Sequence, residues 1–366
     1  MVDSTILFPN YNNEHVLPLT FRYLRENVDC SRFSLVMVDD GSEDDSLRVA
    51  REEISRCGFA SAQLIERPHA GIVSALNAGL EATKTEFVLR IDGDATVETP
   101  GWADRLTAWL RRYPEVGVVG GQVIFDHGGT HSFGRSLLGE YGLHDMGTCP
   151  LEPAGRRTFD SFVYRPPSGF LDTPPYEVDT ILGVCVAFRR EDAASLGGFD
   201  SRFEPVWIED DDFGFAVRAK LGKRVIVDPK IRVTHRIGLR GSREPGRVAA
   251  AGMGNAPPLR VRVRRVMRAT VPSRARRAAR LLVTGRSEPA ALPVGTVTLP
   301  TENNEWRKRI LLGHYDTWHS KWGFHPLNPD PAPVLQRYFD TGAGWKINPA
   351  RHALSRAFLA GVPGEL

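Results

Sequence analysis

The chain has 366 residues, 42% of them hydrophobic and 25% charged, with a formal net charge of +3. This is an ordinary globular composition, long enough for a large core in one or two domains, and so small a charge gives no global reason to expect a nucleic-acid partner. The four cysteines, Cys30, Cys57, Cys149 and Cys185, form no C-x-x-C pair, which argues against a zinc site and a disulfide framework and for a reducing compartment.

The opening "MVDSTILFPNYN" enters a strand-like run at once and has no basic leader. No apolar run reaches the roughly 20 residues that span a bilayer. The expectation is a cytoplasmic protein, with attachment to the inner face of a membrane left open. "STILFPN" predicts a first strand, followed by a helix with Val16, Leu19, Tyr23 and Leu24 on one face. "FSLVMVDDG" is a second strand. Ser42 then opens S-x-x-D with Asp45, a capping-box pattern ahead of Leu47, Ala50 and Ile54. "AQLIERP" is a third strand, and "GIVSALNAGLEAT" a helix with Ile72, Ala75, Leu76 and Leu80 inward. "EFVLRID", "GWADRLTAWLRRYP" and "VGVVGGQVIF" continue as strand, helix and strand.

Strand–helix alternation with apolar strands predicts an α/β fold, a Rossmann-like, mostly parallel sheet flanked by helices. In such sheets ligands bind beyond the carboxyl ends of the strands. Each of the first four strands ends in polar residues: "PNYNNE", Asp39 with Asp40, Arg67, and Asp92 with Asp94.

After about residue 125 the pattern weakens into Gly-, Pro- and His-rich loops, which in compact domains are usually functional or mobile. Order returns at "TILGVCVAFRRED", "WIEDDDFGFAVRAKLG" and "KRVIVDPKIRVTH". From Pro245 to Ser287 there is no acidic residue but there are eleven arginines, from Arg247 to Arg286, and a helix can start after Pro272. "EWRKRILLGHYDTWHSKWGF" is aromatic and helical in pattern.

Asp92 and Asp94 would stand roughly 6.5–7 Å apart on a continuing strand, too far to share a small cation. Gly93 lets the chain turn and lets a ligand approach the backbone. Hard oxygen ligands of this kind suit Mg2+ or Mn2+. A turn with two solvated aspartates is the plainer alternative. In Glu209–Asp210–Asp211–Asp212, up to three acids are explained by the dipole of a helix start, but four in a row must offset their mutual repulsion.

Taken in order, "ILFPNYNNE", "VMVDDGSEDDS", "ERPHAGIVSALNAGLEATKTEFVLRIDGDATV", "GVCVAFRREDAASLGGFD" and "WIEDDDFGFAVRAKLGKRVIVDPKIRVTH" resemble the family 2 glycosyltransferases, over about residues 4 to 237. The resemblance implies the A-type nucleotide-sugar-binding fold and transfer from a nucleotide-diphosphate sugar, UDP-sugar favoured, with Mn2+ or Mg2+. It implies that Pro9, Tyr11 and Glu14 line the nucleotide site and that Asp39 hydrogen-bonds the nucleobase. Arg67 would lie near the base or diphosphate, Asp92 by the ribose or sugar, and Asp94 on the metal. In the E-D-x-D motif the general base matches Asp210, with Glu209 next in line, which implies an inverting single displacement. His235 either completes the metal site or is structural. Plainer roles stay open beside these: helix capping for Asp39 and Asp40, core packing for Tyr11, a loop charge for Arg67, and a structural acid at Asp210.

The chain departs from the family at Ala95, where many relatives carry an acid, and at Asp211, where an apolar residue is usual. The Q-x-x-R-W string of processive synthases is absent, which favours single-sugar transfer. The expected division is 1–240 for donor binding and catalysis, with acceptor loops at about 126–180, and 241–366 for a basic, mainly helical extension. His127, His131, Tyr141, His144 and Tyr176 are candidates to touch a small-molecule, glycan or lipid-linked acceptor. The arginine-rich stretch could meet anionic lipid, a polyprenyl diphosphate or nucleic acid, or be a solvated arm. The aromatic tail around Trp306, Tyr315, Trp318 and Trp322 could cover the site or form a homodimer contact. Two rivals remain: a nucleotidyltransferase, which would be expected to carry a Gly-rich phosphate loop where "PNYNNE" stands, and a non-catalytic basic scaffold with a retired nucleotide site. A Rossmann dehydrogenase is disfavoured by the missing G-x-G-x-x-G.

Overall fold

The computed structural model of the protein describes residues 2–125, 130–132, 134–137, 143–145, 157–158, 161–162, 175–236 and 305–322. His127, Tyr141, the arginine-rich stretch and the helix expected after Pro272 lie outside the described residues, as do the side chains of His144 and Trp306. The chain divides into two compact units, Met1–Arg240 with Val294–Leu366, and Gly241–Pro293. All of the described residues belong to the first.

The elements of this unit begin with β1 (Ser4–Asn10), α1 (Leu17–Asn27), β2 (Ser34–Asp39), α2 (Ser46–Cys57), β3 (Ser61–Glu66), α3 (Ile72–Ala82) and β4 (Phe87–Ile91). They continue with β5 (Ala95–Val97), α4 (Trp102–Arg112), β6 (Val116–Phe125) and the short strands β7 (Thr130–Ser132), β8 (Arg135–Leu137), β9 (Leu143–Asp145), β10 (Arg157–Thr158) and β11 (Ser161–Phe162). Then come β12 (Tyr176–Val178), β13 (Cys185–Arg189), α5 (Arg190–Leu196), α6 (Glu209–Leu221), β14 (Arg224–His235) and α7 (Glu305–Trp322).

The main sheet runs β12-β14-β6-β13-β4-β1-β2-β3, with β5 on β14 and β7 on β6. β3, β2, β1 and β4 are parallel, β13 runs against β4 and β6, and β14 is parallel to β6. The expected α/β sheet is therefore present, and it is mixed. In register, Asn10 sits beside Asp39 and Asp39 beside Glu66, so the polar strand ends share one edge.

The core lies on both faces. Ile6 and Phe8 of β1 join one cluster with Phe21, Trp102 and Trp109, while Leu7 joins the other with Leu76, Phe188, Phe213 and Trp318. That alternation is the period of two of a strand covered on both sides. Each such large apolar side chain contributes about 1.5–3 kcal/mol by leaving water.

Two local expectations are corrected and one is extended. On α1 the buried residues are Leu17, Thr20, Phe21 and Leu24, while Leu19 and Tyr23 stay half-buried. Phe21 sets this phase by stacking on Phe8, with ring centroids 5.3 Å apart. On α3 Ala75 and Leu76 are buried as expected and Ile72 and Leu80 pack half-buried against the core, while Val73 and Gly79 join the buried face because the helix presses on Leu7 at Gly79, where a Cβ would meet a Leu7 methyl. Ser42 does not cap α2, which starts four residues later. Its hydroxyl and N–H both donate to Asp39, a closer acceptor.

Candidate functional site

The edge at β1 and β2 is organised by two aspartates. Asp39 is buried, and its Oδ2 accepts from Asn10 Nδ2 at 2.8 Å and Ser42 Oγ at 2.7 Å, while Oδ1 accepts from Ser42 N at 2.9 Å. Asp40 faces the next connection: its carboxylate accepts from Gly71 N at 2.8 Å, and Arg67 Nε lies 3.4 Å away. His69 Nδ1 stands 2.8 Å from the same carboxylate, and the His69 ring stacks on Tyr11 with centroids 4.1 Å apart. Tyr11 is 38% exposed and so is not core. Arg67 is partnered, and Pro9 is buried within β1. Glu14 Oε2 accepts from Asp45 N at 2.7 Å, joining the loop after β1 to the start of α2.

The D-x-D stretch is a turn between β4 and β5. Asp92 N donates to Val184 O and Ala95 N to Asp92 O, both at 3.0 Å. At Gly93 a Cβ would lie 2.8 Å from Asn13 Nδ2, 2.9 Å from Asn10 Oδ1 and 3.2 Å from Pro9 O, so the tail of β1 leaves room for glycine alone. The turn overcomes the strand spacing. One ligand atom each from Asp92, Asp94 and His235 all lie within 4.8 Å of one another. β14 supplies the histidine by pairing antiparallel with β5, His235 opposite Ala95. His235 Nε2 is 3.2 Å from Asp94 Oδ1, and its Nδ1 is 3.1 Å from His131 Nδ1. Two carboxylates and an imidazole nitrogen are a donor set that fits Mn2+ or, with more retained water, Mg2+. His131 therefore packs against the metal-type cluster, its ring lying between Phe125 and His235.

The four acids opening α6 are separated by the helical turn, each with its own partner. Glu209 is buried and accepts from Arg90 Nη2 at 3.0 Å. Asp210 is half-buried, its Oδ2 accepting from Gly183 N at 2.7 Å and its Oδ1 from Asp211 N at 2.8 Å. Asp211 pairs with Arg135, whose N–H donates to Thr180 O at 2.8 Å. Asp212 Oδ1 accepts from Trp322 Nε1 at 2.9 Å, and its Oδ2 lies 2.7 Å from Lys321 Nζ. The repulsion expected from the sequence is thus offset group by group. Burial first, and then the Asp210 carboxylate, push Glu209 up to about 8 against the pull of Arg90. Arg90 is itself held firmly protonated by Asp92 and Glu209 despite its burial.

These parts form one connected edge. Asn10 touches both Asp39 and the Gly93 turn, and Arg90 ties Asp92 to Glu209, the neighbour of Asp210. Sequence reasoning did not single out Arg90, His69 or Gly183. Arg90 had a signal, a lone arginine inside the apolar run "FVLRI", since a charge in a buried strand needs an acid elsewhere. His69 and Gly183 had none.

A family model described as "Glycosyl transferase family 2" matches residues 5–193. The chain is similar to the O-antigen biosynthesis protein RfbC of Myxococcus xanthus, 31% identical over 156 residues, which is 41% of this chain and 11% of that protein. It is similar to the undecaprenyl-phosphate 4-deoxy-4-formamido-L-arabinose transferase of Pseudomonas savastanoi pv. phaseolicola, 32% identical over 120 residues, 31% of this chain and 35% of that protein. These matches thus span well under two thirds of either relative. Among solved structures, a mannosyltransferase from Pyrobaculum calidifontis in complex with GDP-Man and Mn2+ aligns with a TM-score of 0.45 and 18% identity, over 98% of this chain and 85% of that one.

Proposed function

The chain belongs to glycosyl transferase family 2, and from that premise we propose that it moves a single sugar from a nucleotide-diphosphate sugar, a UDP-sugar in the first instance, to a hydroxyl acceptor with inversion. The observation that carries the proposal is the close approach of Asp92, Asp94 and His235 on the strand edge to which Arg90 ties the first turn of α6, which bears Asp210.

In this reading Asp94 and His235 hold Mn2+ or Mg2+ and Asp92 faces the ribose or sugar. A divalent ion there would neutralise charge on the departing diphosphate. Tyr11, backed by His69, offers a flat face to the nucleobase beside Pro9 and Glu14. Asp39, fixed by Asn10 and Ser42, accepts an N–H from a uracil-type edge. Arg67 stands near the base or diphosphate. Asp210 takes the acceptor proton as that oxygen attacks the anomeric carbon. What favours Asp210 over Glu209 is that Glu209 is buried and bound to Arg90, whereas Asp210 remains half-exposed with an oriented carboxylate. Residues 1–240 would carry these roles and 241–366 would be an extension. The acceptor class is a small molecule, a glycan or a lipid-linked alcohol. No helix among the described residues is long and apolar enough to cross a membrane, and the reading places the enzyme in the cytoplasm or against the inner membrane face.

The test is thermal unfolding with UDP. Mn2+ and UDP together should stabilise the protein by about 2.7 kcal/mol at a hundredfold excess over Kd, and UDP alone by far less. A shift with NAD(P) alone, or none with any nucleoside diphosphate and metal, would count against the proposal.

A further inference from the structure

The segment that delivers Asp210 is held at both ends by a helix far away in sequence. It enters α6 through Trp207 and Ile208, both at positive φ, 75° and 71°. This conformation is costly for bulky and β-branched side chains and persists only where the surroundings over-determine it. α3 fixes the middle of the segment, through Ile72 N donating to Pro205 O at 2.9 Å and Ser74 N to Glu204 Oε1 at 2.5 Å. α7 fixes the two flanks. Lys321 Nζ lies 2.7 Å from Asp200 Oδ2, ahead of the strained pair, and 2.7 Å from Asp212 Oδ2, behind it. Trp322 Nε1 adds its bond to Asp212 Oδ1 at 2.9 Å. Upstream, His314 Nε2 lies 3.1 Å from Val206 O and its ring stands edge-on to Phe203.

The chemistry makes Lys321 the centre of this contact. Its side chain is 12% exposed, so its ammonium has given up most of its water and is balanced by the two carboxylates. The rings of Trp322 and Phe203 lie 5.1 and 5.8 Å from the nitrogen and close it off further. His314, Trp318, Lys321 and Trp322 follow the i, i+4, i+7, i+8 spacing of one helical face.

We propose that α7 is a positioning element of the reaction: by joining Asp200, Val206 and Asp212, with Lys321 as its principal residue, it holds the Asp210 carboxylate in the register required for proton abstraction. The catalytic part of this role rests on the reading of Asp210 as the base. The mechanical part does not. α7, like α6 itself, lies outside the residues that the family model matches.

The experiment uses the full chain carrying Lys321→Met, Lys321→Arg or Trp322→Phe. Three readouts are taken: hydrogen exchange of peptides spanning 200–212, affinity for UDP with Mn2+, and kcat for hydrolysis of whichever UDP-sugar the unaltered protein cleaves fastest. Lys321→Met should speed exchange in 200–212 about tenfold and lower kcat about 10- to 100-fold, with UDP–Mn2+ affinity within about twofold. Lys321→Arg should restore most of both. Trp322→Phe, which keeps a ring and removes one N–H donor, should give a smaller loss in the same direction. It decides the matter by the same readouts if Lys321→Met does not fold. Unchanged exchange in 200–212, or a fall in UDP–Mn2+ affinity that matches the fall in kcat, would overturn the proposal. Failure of the unaltered protein to bind UDP with Mn2+ is a separate outcome. It would end the UDP-sugar reading, while exchange would still decide whether α7 holds the segment.

Discussion

Arg90 and Glu209, 119 residues apart, are joined by a 3.0 Å hydrogen bond from Nη2 to Oε1. The same guanidinium donates from Nε to Asp92 Oδ1 at 3.0 Å. One buried cation therefore stitches the turn after β4 to the first turn of α6, and the distance between the metal-type cluster and the proposed base is set by a side chain that is neither.

Arg90→Met should therefore be severe. It leaves two acids facing a low-dielectric space without their shared cation, a change that costs about 3–5 kcal/mol. Arg90→Lys keeps the charge but not the fork, and should fall between the two. Urea unfolding reads this directly, and a loss below about 1 kcal/mol for Arg90→Met would mean the stitch is not structural.

Asp94→Asn and Asp210→Asn should separate binding from chemistry. The first removes a charged donor from the Asp92–Asp94–His235 cluster, so metal-dependent UDP binding and transfer both fall. The second keeps the carboxylate's shape but not its basicity, so UDP–Mn2+ affinity holds while kcat drops by about 10²–10⁴. Calorimetry with UDP and Mn2+ and a donor-turnover assay measure the two effects. Normal turnover by Asp210→Asn would misassign the base.

Gly93→Ala should damage two places at once. Its Cβ would press on Asn13 Nδ2, Asn10 Oδ1 and the Pro9 carbonyl. Asn10 is buried and donates to Asp39, so it cannot yield without moving the nucleotide side. We expect about 1–3 kcal/mol of destabilisation, of the size of core overpacking, and weaker UDP–Mn2+ binding. Equilibrium unfolding and calorimetry check it, and an alanine variant of unaltered stability and affinity would show that the edge is loose.

His314 sets a pH dependence. Burial holds it below its ordinary 6.5, opposed by its hydrogen bond to Val206 O. As pH drops below 6.5, the unfolded chain takes up a proton that the folded chain refuses. Stability from this residue is then complete above 6.5 and declines as pH falls toward the folded value. His314→Gln should flatten that part of the curve of Tm against pH. An equally steep acid limb in the variant would assign it to other groups.

The sequence marked the strands of the sheet's edge well. "STILFPN", "FSLVMVDDG" and "EFVLRID" carry apolar runs that stop at polar residues, and local chemistry suffices to end a strand there. It was less reliable on the face of α1, as at Leu19 and Tyr23, because the phase of a helix is chosen by what it packs on. The capping pattern at Ser42 was outbid by Asp39, an acceptor that the fold alone brings into reach.

By itself the sequence determined the alternating architecture and the acids available to the site, because periodicity and strand-end composition are local properties. Only the tertiary structure decided how those acids are used: the turn at Gly93 that closes Asp92 on Asp94, the antiparallel pairing that brings in His235, and the cations Arg90, Arg135 and Lys321 that give Glu209, Asp211 and Asp212 separate partners. A buried charge is tolerable only beside its counter-charge, and here each counter-charge comes from an element distant in sequence, so no reading along the chain could have paired them.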